Sequence, residues 1–295
     1  FVLNHTGDAG GLLANHNITS LNQSIAIYNN ILKLFPNEDY GSLTEAVRFF
    51  SPADKKISRM LTCLGELVGV NTTGFTDHVQ ASKEIAEAHG TVGALSFGFL
   101  AVSSAGVLDS GATSSRIRGL NSANKADLYA LLRLLPFTIE SDGALYDRFP
   151  ELNENFSGQF TEDRKAFLYH LTCPDETSTD NIEFFDATLG IVAYSNLALP
   201  AETRVNYHFG GKAGDQLTGG DQSDHLYGLG GDDILAGGAG DDLLEGGEGI
   251  DTYIINRGDG HDTIIDKGRN ILVIDGEAFA GVFLKVENTG DYLFI

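Results

Sequence analysis

The chain has 295 residues, of which 41 are Asp or Glu and 19 are Lys or Arg, so its formal net charge is -22 at pH 7. So acidic a chain repels nucleic acids and anionic membranes, and neither is an expected partner unless cations bind first. It has no uninterrupted stretch of about 18 apolar residues, so we expect no transmembrane segment. The length allows one large domain or two ordinary ones.

Residues 1–175 have the apolar spacing of a mainly helical domain. Ser51 followed by Pro52 is a strong start signal, because proline suits the first position of a helix. The predicted helices span residues 19–35, 51–68, 76–88, 124–135 and 162–171.

The helical region contains no recognisable catalytic set. Gly-x-Ser-x-Gly, His-Glu-x-x-His, Gly-x-x-x-x-Gly-Lys and Cys-x-x-Cys are all missing from the sequence. Cys63 and Cys173 are the only cysteines. One disulfide is arithmetically possible, whereas a buried thiol is the simpler interpretation of Cys63.

The apolar spacing changes from helical to strand-like in residues 176–209. Ile182–Asp186 and Gly190–Tyr194 predict two strands joined by a short turn, which we expect to cover one end of the structure that follows. Residues 266–295 are expected to cover its other end. The strands predicted there span 271–275, 282–287 and 292–295.

Between Gly210 and Ile265 the chain repeats itself with a period of nine residues. Each copy opens with a glycine-rich turn and reaches an aspartate, with an apolar residue two positions later. The six copies begin at Gly210, Gly219, Gly228, Gly237, Gly246 and Arg257. Their aspartates are Asp215, Asp224, Asp233, Asp242, Asp251 and Asp262. The apolar residues in phase are Leu217, Leu226, Leu235, Leu244, Tyr253 and Ile264.

The spacing of these residues predicts a stacked structure that binds calcium. One nine-residue unit buries almost nothing alone, so the units are stable only as a parallel β-roll in which repeats two apart share an edge. Glycines let backbone carbonyls approach an ion, and calcium takes six to eight carboxylate and carbonyl oxygens. The alternative, a flexible glycine-rich linker, would not require an aspartate and an apolar residue at fixed positions of every repeat. About four ions are expected. The predicted pairs are Asp215 with Asp233, Asp224 with Asp242, Asp233 with Asp251 and Asp242 with Asp262.

The repeat resembles the nonapeptide of the RTX family of bacterial proteins secreted by the type I pathway. In that family Gly-Gly-x-Gly-x-Asp is followed by an apolar residue, and Gly237–Glu245 conforms at every defined position. Because other copies depart from the pattern, we expect the outer ones to bind calcium more weakly. The departures are Ala213, Gln222, Leu229, Arg257 and Tyr253.

The resemblance implies an α+β multidomain fold and a secreted or cell-surface protein. Its partners would be calcium ions and the type I secretion machinery, with the chain unfolded at low cytosolic calcium and folded outside the cell. The expected parts are a helical domain (1–175), a β cap (176–209), the RTX parallel β-roll (210–265) and a C-terminal β cap (266–295).

The helical region also resembles, more weakly, the segment that precedes the repeats in large RTX lipases and related hydrolases. That resemblance implies a lipase-like hydrolase or toxin with catalysis upstream of Phe1, in which His16 would be the last catalytic residue in chain order. An ordinary helix-flanking role for His16 is the alternative, and no catalytic residue is assigned within this chain. For the whole protein, an adhesin or extracellular structural protein is the other possibility.

Overall fold

A computed structural model gives the fold. It describes residues 62–63, 65–71, 84, 88, 95–99, 110–135, 137–141, 144–172, 178–196, 198–285 and 292–294. The chain forms two compact units, Phe1–Cys173 and Pro174–Ile295. The helix predicted over 19–35 lies outside the described residues, as do His16 and Cys173.

Within its described residues, the first unit contains three helices of eight residues or more and a small antiparallel sheet. Its elements are β1 (Leu95–Phe99), α1 (Ser110–Arg118), α2 (Lys125–Leu132), β2 (Phe137–Ser141) and α3 (Gly158–Thr172), with short 3-10 turns at Ala144–Tyr146 and Pro150–Asn153. The buried guanidinium of Arg164 on α3 donates to the carbonyl oxygens of Leu131 and Leu132, which ties α3 to the end of α2. None of the helices described is long and apolar enough to cross a membrane.

The helices predicted over 124–135 and 162–171 are confirmed as α2 and α3. Asn124 caps α2, since its side chain accepts hydrogen bonds from the amides of Ala126 and Asp127. The sequence does not predict α1, whose residues include few apolar side chains and no helical stripe. Residues 65–68 are helical, within the predicted 51–68. Cys63 is buried and forms no disulfide.

The second unit is a parallel β-roll made of two six-stranded sheets. Its strands are β3 (Ile182–Asp186), β4 (Ile191–Tyr194), β5 (Val205–Phe209), β6 (Gln216–Thr218), β7 (His225–Gly230), β8 (Ile234–Ala236), β9 (Leu243–Glu248), β10 (Thr252–Ile255), β11 (Thr263–Ile265), β12 (Arg269–Ile274), β13 (Glu277–Lys285) and β14 (Tyr292–Phe294). One sheet has the order β11-β9-β7-β5-β3-β4, and the other has the order β14-β13-β12-β10-β8-β6. Successive repeats alternate between the sheets, so repeats two apart pair in parallel.

The interior of the roll is the row of apolar residues that the nine-residue period predicts. Leu235 lies between Leu217 and Tyr253 in one sheet, while Leu244 lies between Leu226 and Ile264 in the other. The buried cluster consists of Leu217, Leu226, Leu235, Leu244 and Tyr253, with Ile255, Ile264 and Leu272 packed against it. This prediction is confirmed.

The parallel stack continues past the six repeats in both directions. β5 pairs in parallel with β7, and β12 pairs in parallel with β10. The predicted hairpin of β3 and β4 is present, and the three predicted C-terminal strands overlap β12, β13 and β14. Only β4, β13 and β14 run antiparallel to their neighbours within the described roll. The sequence does not predict β5, because Asn206 and His208 replace the aspartate and the apolar residue there.

Two turn glycines share a positive φ but differ in the space around them, so substituting each one distinguishes the cost of backbone strain from the cost of a steric clash. Gly249 (φ +136°) and Gly258 (φ +98°) both adopt positive φ. A Cβ on Gly249 would meet the carbonyl oxygen of Gly231, whereas one on Gly258 would meet nothing within 4 Å. We expect Gly258→Ala to cost about 1 kcal/mol from strain alone, and Gly249→Ala to cost about 1–3 kcal/mol more. Urea unfolding in saturating calcium measures both, and equal costs would contradict the close stacking of coils at Gly249.

Candidate calcium-binding site

The six predicted aspartates form two columns, each running from coil to coil in front of one sheet. In the first column Asp215, Asp233 and Asp251 precede β6, β8 and β10. In the second column Asp224, Asp242 and Asp262 precede β7, β9 and β11. Four of the carboxylates are almost wholly buried, at 0–2% exposure: Asp224, Asp233, Asp242 and Asp251.

Within each column, a hydrogen bond joins each pair of successive aspartates. The amide of Asp215 donates to Oδ1 of Asp233 (2.6 Å), and the amide of Asp233 donates to Oδ1 of Asp251 (2.8 Å). The second column repeats this bond from Asp224 to Asp242 (2.8 Å) and from Asp242 to Asp262 (3.2 Å). The structure thus places the members of all four predicted pairs in adjacent coils.

The second carboxylate oxygen divides the repeats into two groups. In the first two repeats, Oδ2 of Asp215 and Oδ2 of Asp224 accept hydrogen bonds from the amides of Gly211 and Gly220. In the next three repeats, Oδ2 is buried and has no hydrogen-bond partner. These three atoms belong to Asp233, Asp242 and Asp251.

The conformation of the turns follows the same division. From the third repeat onwards, the second and fourth positions of the turn adopt positive φ, and Leu229 does so (φ 73°) where the pattern has glycine. In the first two repeats, Ala213 and Gln222 replace the fourth glycine, and neither turn contains a residue with positive φ. The glycine substitutions therefore coincide with the turns whose carboxylates are satisfied by an amide.

The turns of the first three repeats each have an oxygen-lined space that their first glycine leaves open. A Cβ on Gly228 would meet Oδ2 of Asp233 and the carbonyl oxygen of Gly246, one coil further on. Gly210 and Gly219 face the corresponding pairs of oxygens in their own columns. A side chain at these positions would fill the space between the carboxylate and the carbonyl.

The oxygens in these turns fit calcium better than a transition metal. Nowhere in the described parts of the chain do three His, Cys, Asp or Glu side chains come together to hold a metal ion. An ion in a turn would therefore draw on one or two carboxylates and on backbone carbonyls. Calcium accepts such all-oxygen sets, whereas zinc prefers nitrogen and sulfur.

The family pattern of the RTX calcium-binding nonapeptide repeat matches residues 209–244 and 218–253, with four copies. Residues 209–253 are RTX calcium-binding repeats. Such repeats bind calcium and are typical of secreted bacterial RTX proteins. No curated protein and no solved structure matches the chain significantly.

Burial raises the pKa of five of the six column aspartates. Burial, reinforced by neighbouring carboxylates, raises the pKa of Asp233 from 3.8 to about 7 and that of Asp242 to about 6. Burial likewise raises the pKa of Asp224, Asp251 and Asp262. A positive charge in the turns would oppose each of these shifts.

These pKa values predict how the calcium-free roll responds to pH. Between about pH 4 and pH 7 the folded roll binds more protons than the unfolded chain, so its stability falls as pH rises through this range. We expect calcium-stripped protein to have more β-sheet circular dichroism at pH 4.5 than at pH 8. The control is Asp233→Asn/Asp242→Asn, which should lose most of this dependence. A signal that rises with pH would contradict the assigned burial.

Three candidate functional residues are not identified by the nine-residue pattern. Asn206 and Asn270 occupy the aspartate position in the coils before and after the repeats, since the amide of Asn206 donates to Oδ1 of Asp224 and Oδ1 of Asn270 accepts from the amide of Asp251. Asp266 is buried beside Tyr253, which occupies an apolar position. The only sequence signal for the two asparagines is their distance from a column aspartate: Asn206 lies 18 residues before Asp224, and Asn270 lies 19 residues after Asp251.

Proposed function

We propose that the roll is a calcium-dependent folding unit that holds about four ions between neighbouring coils, in two rows. The six column aspartates are the proposed ligands, together with backbone carbonyls of the glycine turns. The observation that carries this proposal is the set of three buried carboxylate oxygens without partners, on Asp233, Asp242 and Asp251. An isolated buried carboxylate is strongly unfavourable, and a bound cation removes that cost.

The strongest sites are proposed between turns of the later repeats. Asp233 pairs with Asp251 and Asp242 pairs with Asp262, and these turns have the glycine conformation at their second and fourth positions. In the earlier turns, amides already satisfy Oδ2 of Asp215 and Asp224, so an ion gains less there. The weaker binding expected of the outer copies has this physical basis at the N-terminal end.

The net charge of -22 supports a role in export. Without calcium, the carboxylates repel one another and favour an unfolded chain, which is the form that the type I secretion machinery passes. Millimolar calcium outside the cell then neutralises the turns and folds the roll. The same ions would make the folded protein stable only outside the cell.

Calorimetric titration of the intact chain tests the proposal. Calcium should bind with a stoichiometry of about four, and magnesium should bind more weakly because it demands a small octahedral site and sheds its water reluctantly. Asp233→Asn/Asp242→Asn is the matched variant, expected to weaken all four sites while keeping the fold of the first unit, because every proposed pair includes one of these two aspartates. No calcium binding by the intact chain would overturn the proposal.

We further propose that the parent protein is a lipase-like hydrolase or toxin whose catalysis lies upstream of this chain; an adhesin is the alternative. The support is the resemblance of the helical region and the lack, in the sequence, of a nucleophile motif. The calcium-loaded 295-residue chain should therefore hydrolyse p-nitrophenyl esters at the background rate, since a histidine needs a nucleophile and an orienting group. Turnover that His16→Ala abolishes would place catalysis within this chain.

A further inference from the structure

Residues 266–270 form a seventh turn at the C-terminal end of the roll. Asn270 accepts a hydrogen bond from the amide of Asp251 (2.9 Å), which continues the first column by one coil. Gly268 stacks on the preceding turn, since a Cβ there would lie 3.2 Å from the carbonyl oxygen of Gly249. The turn thus has the position of a repeat, with asparagine in place of the aspartate.

Asp266 brings a carboxylate into this turn from a different position. It is 7% exposed, and its Oδ1 accepts hydrogen bonds from the amides of Lys267 (2.5 Å) and Gly268 (2.9 Å). Its Oδ2 accepts from the hydroxyl of Tyr253, which in turn accepts from the amide of Gly246 (2.8 Å). The Tyr253 hydroxyl therefore holds Asp266 in place from within the core of the roll.

The carboxylates of Asp251 and Asp266 meet at the Tyr253 hydroxyl. A Cβ on Gly246 would contact both Oδ2 of Asp251 and that hydroxyl, which itself donates to Oδ2 of Asp266. Oδ2 of Asp251 is fully buried and has no hydrogen-bond partner, and Nδ2 of the fully buried Asn270 has none either. No Lys, Arg or His in the described roll forms an ion pair with either aspartate. Two buried carboxylates side by side are unfavourable unless a cation or a proton lies between them.

We propose that Asp251 and Asp266 hold an additional calcium ion at this end of the roll. The carboxylate that Asn270 lacks comes instead from Asp266, four residues earlier and outside the nine-residue pattern. Backbone carbonyls of the adjoining turns complete the all-oxygen set that calcium prefers. Tyr253 is a positioning residue for this site, which explains a tyrosine at an otherwise apolar position. The inference rests on the proposed function, because it extends the same row of ions.

The decisive variant is Asp266→Asn, which retains an oxygen for the amides of Lys267 and Gly268 but removes the charge. Calcium bound per chain, measured by equilibrium dialysis, should fall by one ion relative to the intact chain. The matched control is Asp275→Asn at the same end of the roll, where the side chain is half-exposed and contacts Arg257, and it should leave the count unchanged. An unchanged count for Asp266→Asn would overturn the inference.

Asn270→Asp provides a test in the opposite direction. With an ion beside Asp251, the added carboxylate should tighten one site by roughly tenfold and raise the melting temperature in calcium. With no ion there, it adds a third buried charge and lowers the melting temperature in calcium, which contradicts the inference. If Asp266→Asn keeps every ion while Asp233→Asn loses ions, the additional site fails and the proposed function stands. Failure of the intact chain to bind calcium at all would instead defeat the proposed function.

Discussion

Removing calcium from the 295-residue chain is expected to abolish the β-sheet circular dichroism of residues 200–295. If each site has a Kd of about 10⁻⁴ M, a hundredfold excess of calcium contributes about 2.7 kcal/mol per site. Four sites then contribute about 11 kcal/mol, which is as large as the whole stability of an ordinary domain, about 5–15 kcal/mol. The roll should therefore be folded in millimolar calcium and unfolded in excess EGTA at neutral pH.

The measurement follows ellipticity and melting temperature during stepwise addition of EGTA, then of calcium to restore the signal. Magnesium at the same concentration is the control for ionic strength, and it should restore little of the lost structure. An unchanged spectrum and melting temperature in excess EGTA would show that the packing of the leucine row suffices without the ions.

Substitution of an inner aspartate should reduce the number of bound calcium ions more than substitution of an outer one. Asp233 belongs to two of the proposed pairs and Asp215 to one, and only Asp233 has a buried oxygen without a partner. Asp233→Ala should therefore lose about two ions and Asp215→Ala about one, by the pairing of repeats two apart. Asp242→Ala in the other column should behave like Asp233→Ala.

Calorimetric titration of these variants measures the loss directly. Asp221→Ala is the matched control, because Asp221 is an exposed turn aspartate outside both columns. Equal losses from Asp233→Ala and Asp215→Ala would mean that the ions do not lie between repeats two apart.

The nine-residue period made the roll predictable from sequence. Successive nine-residue repeats alternate between the two sheets, so equivalent residues in one sheet are 18 residues apart. The row of leucines and the columns of aspartates therefore follow from the spacing alone. The sequence does not predict β5, because Asn206 and His208 break the pattern while the backbone continues in register.

Other features depend on conformations that spacing does not reveal. Whether Oδ2 of an aspartate meets an amide depends on the backbone of its own turn, as the contrast between Asp215 and Asp233 shows. The contact of Asp266 with Tyr253 joins residues 13 apart across adjacent coils, and no repeat of the sequence points to it.

Anomalous scattering from crystals grown in millimolar calcium tests the central claim most directly. We predict peaks between the paired aspartates of both columns, including one within about 2.6 Å of Oδ2 of Asp233, the usual limit of a calcium–oxygen contact. Crystals of the folded roll in which no cation approaches the buried oxygens of Asp233, Asp242 and Asp251 would contradict it.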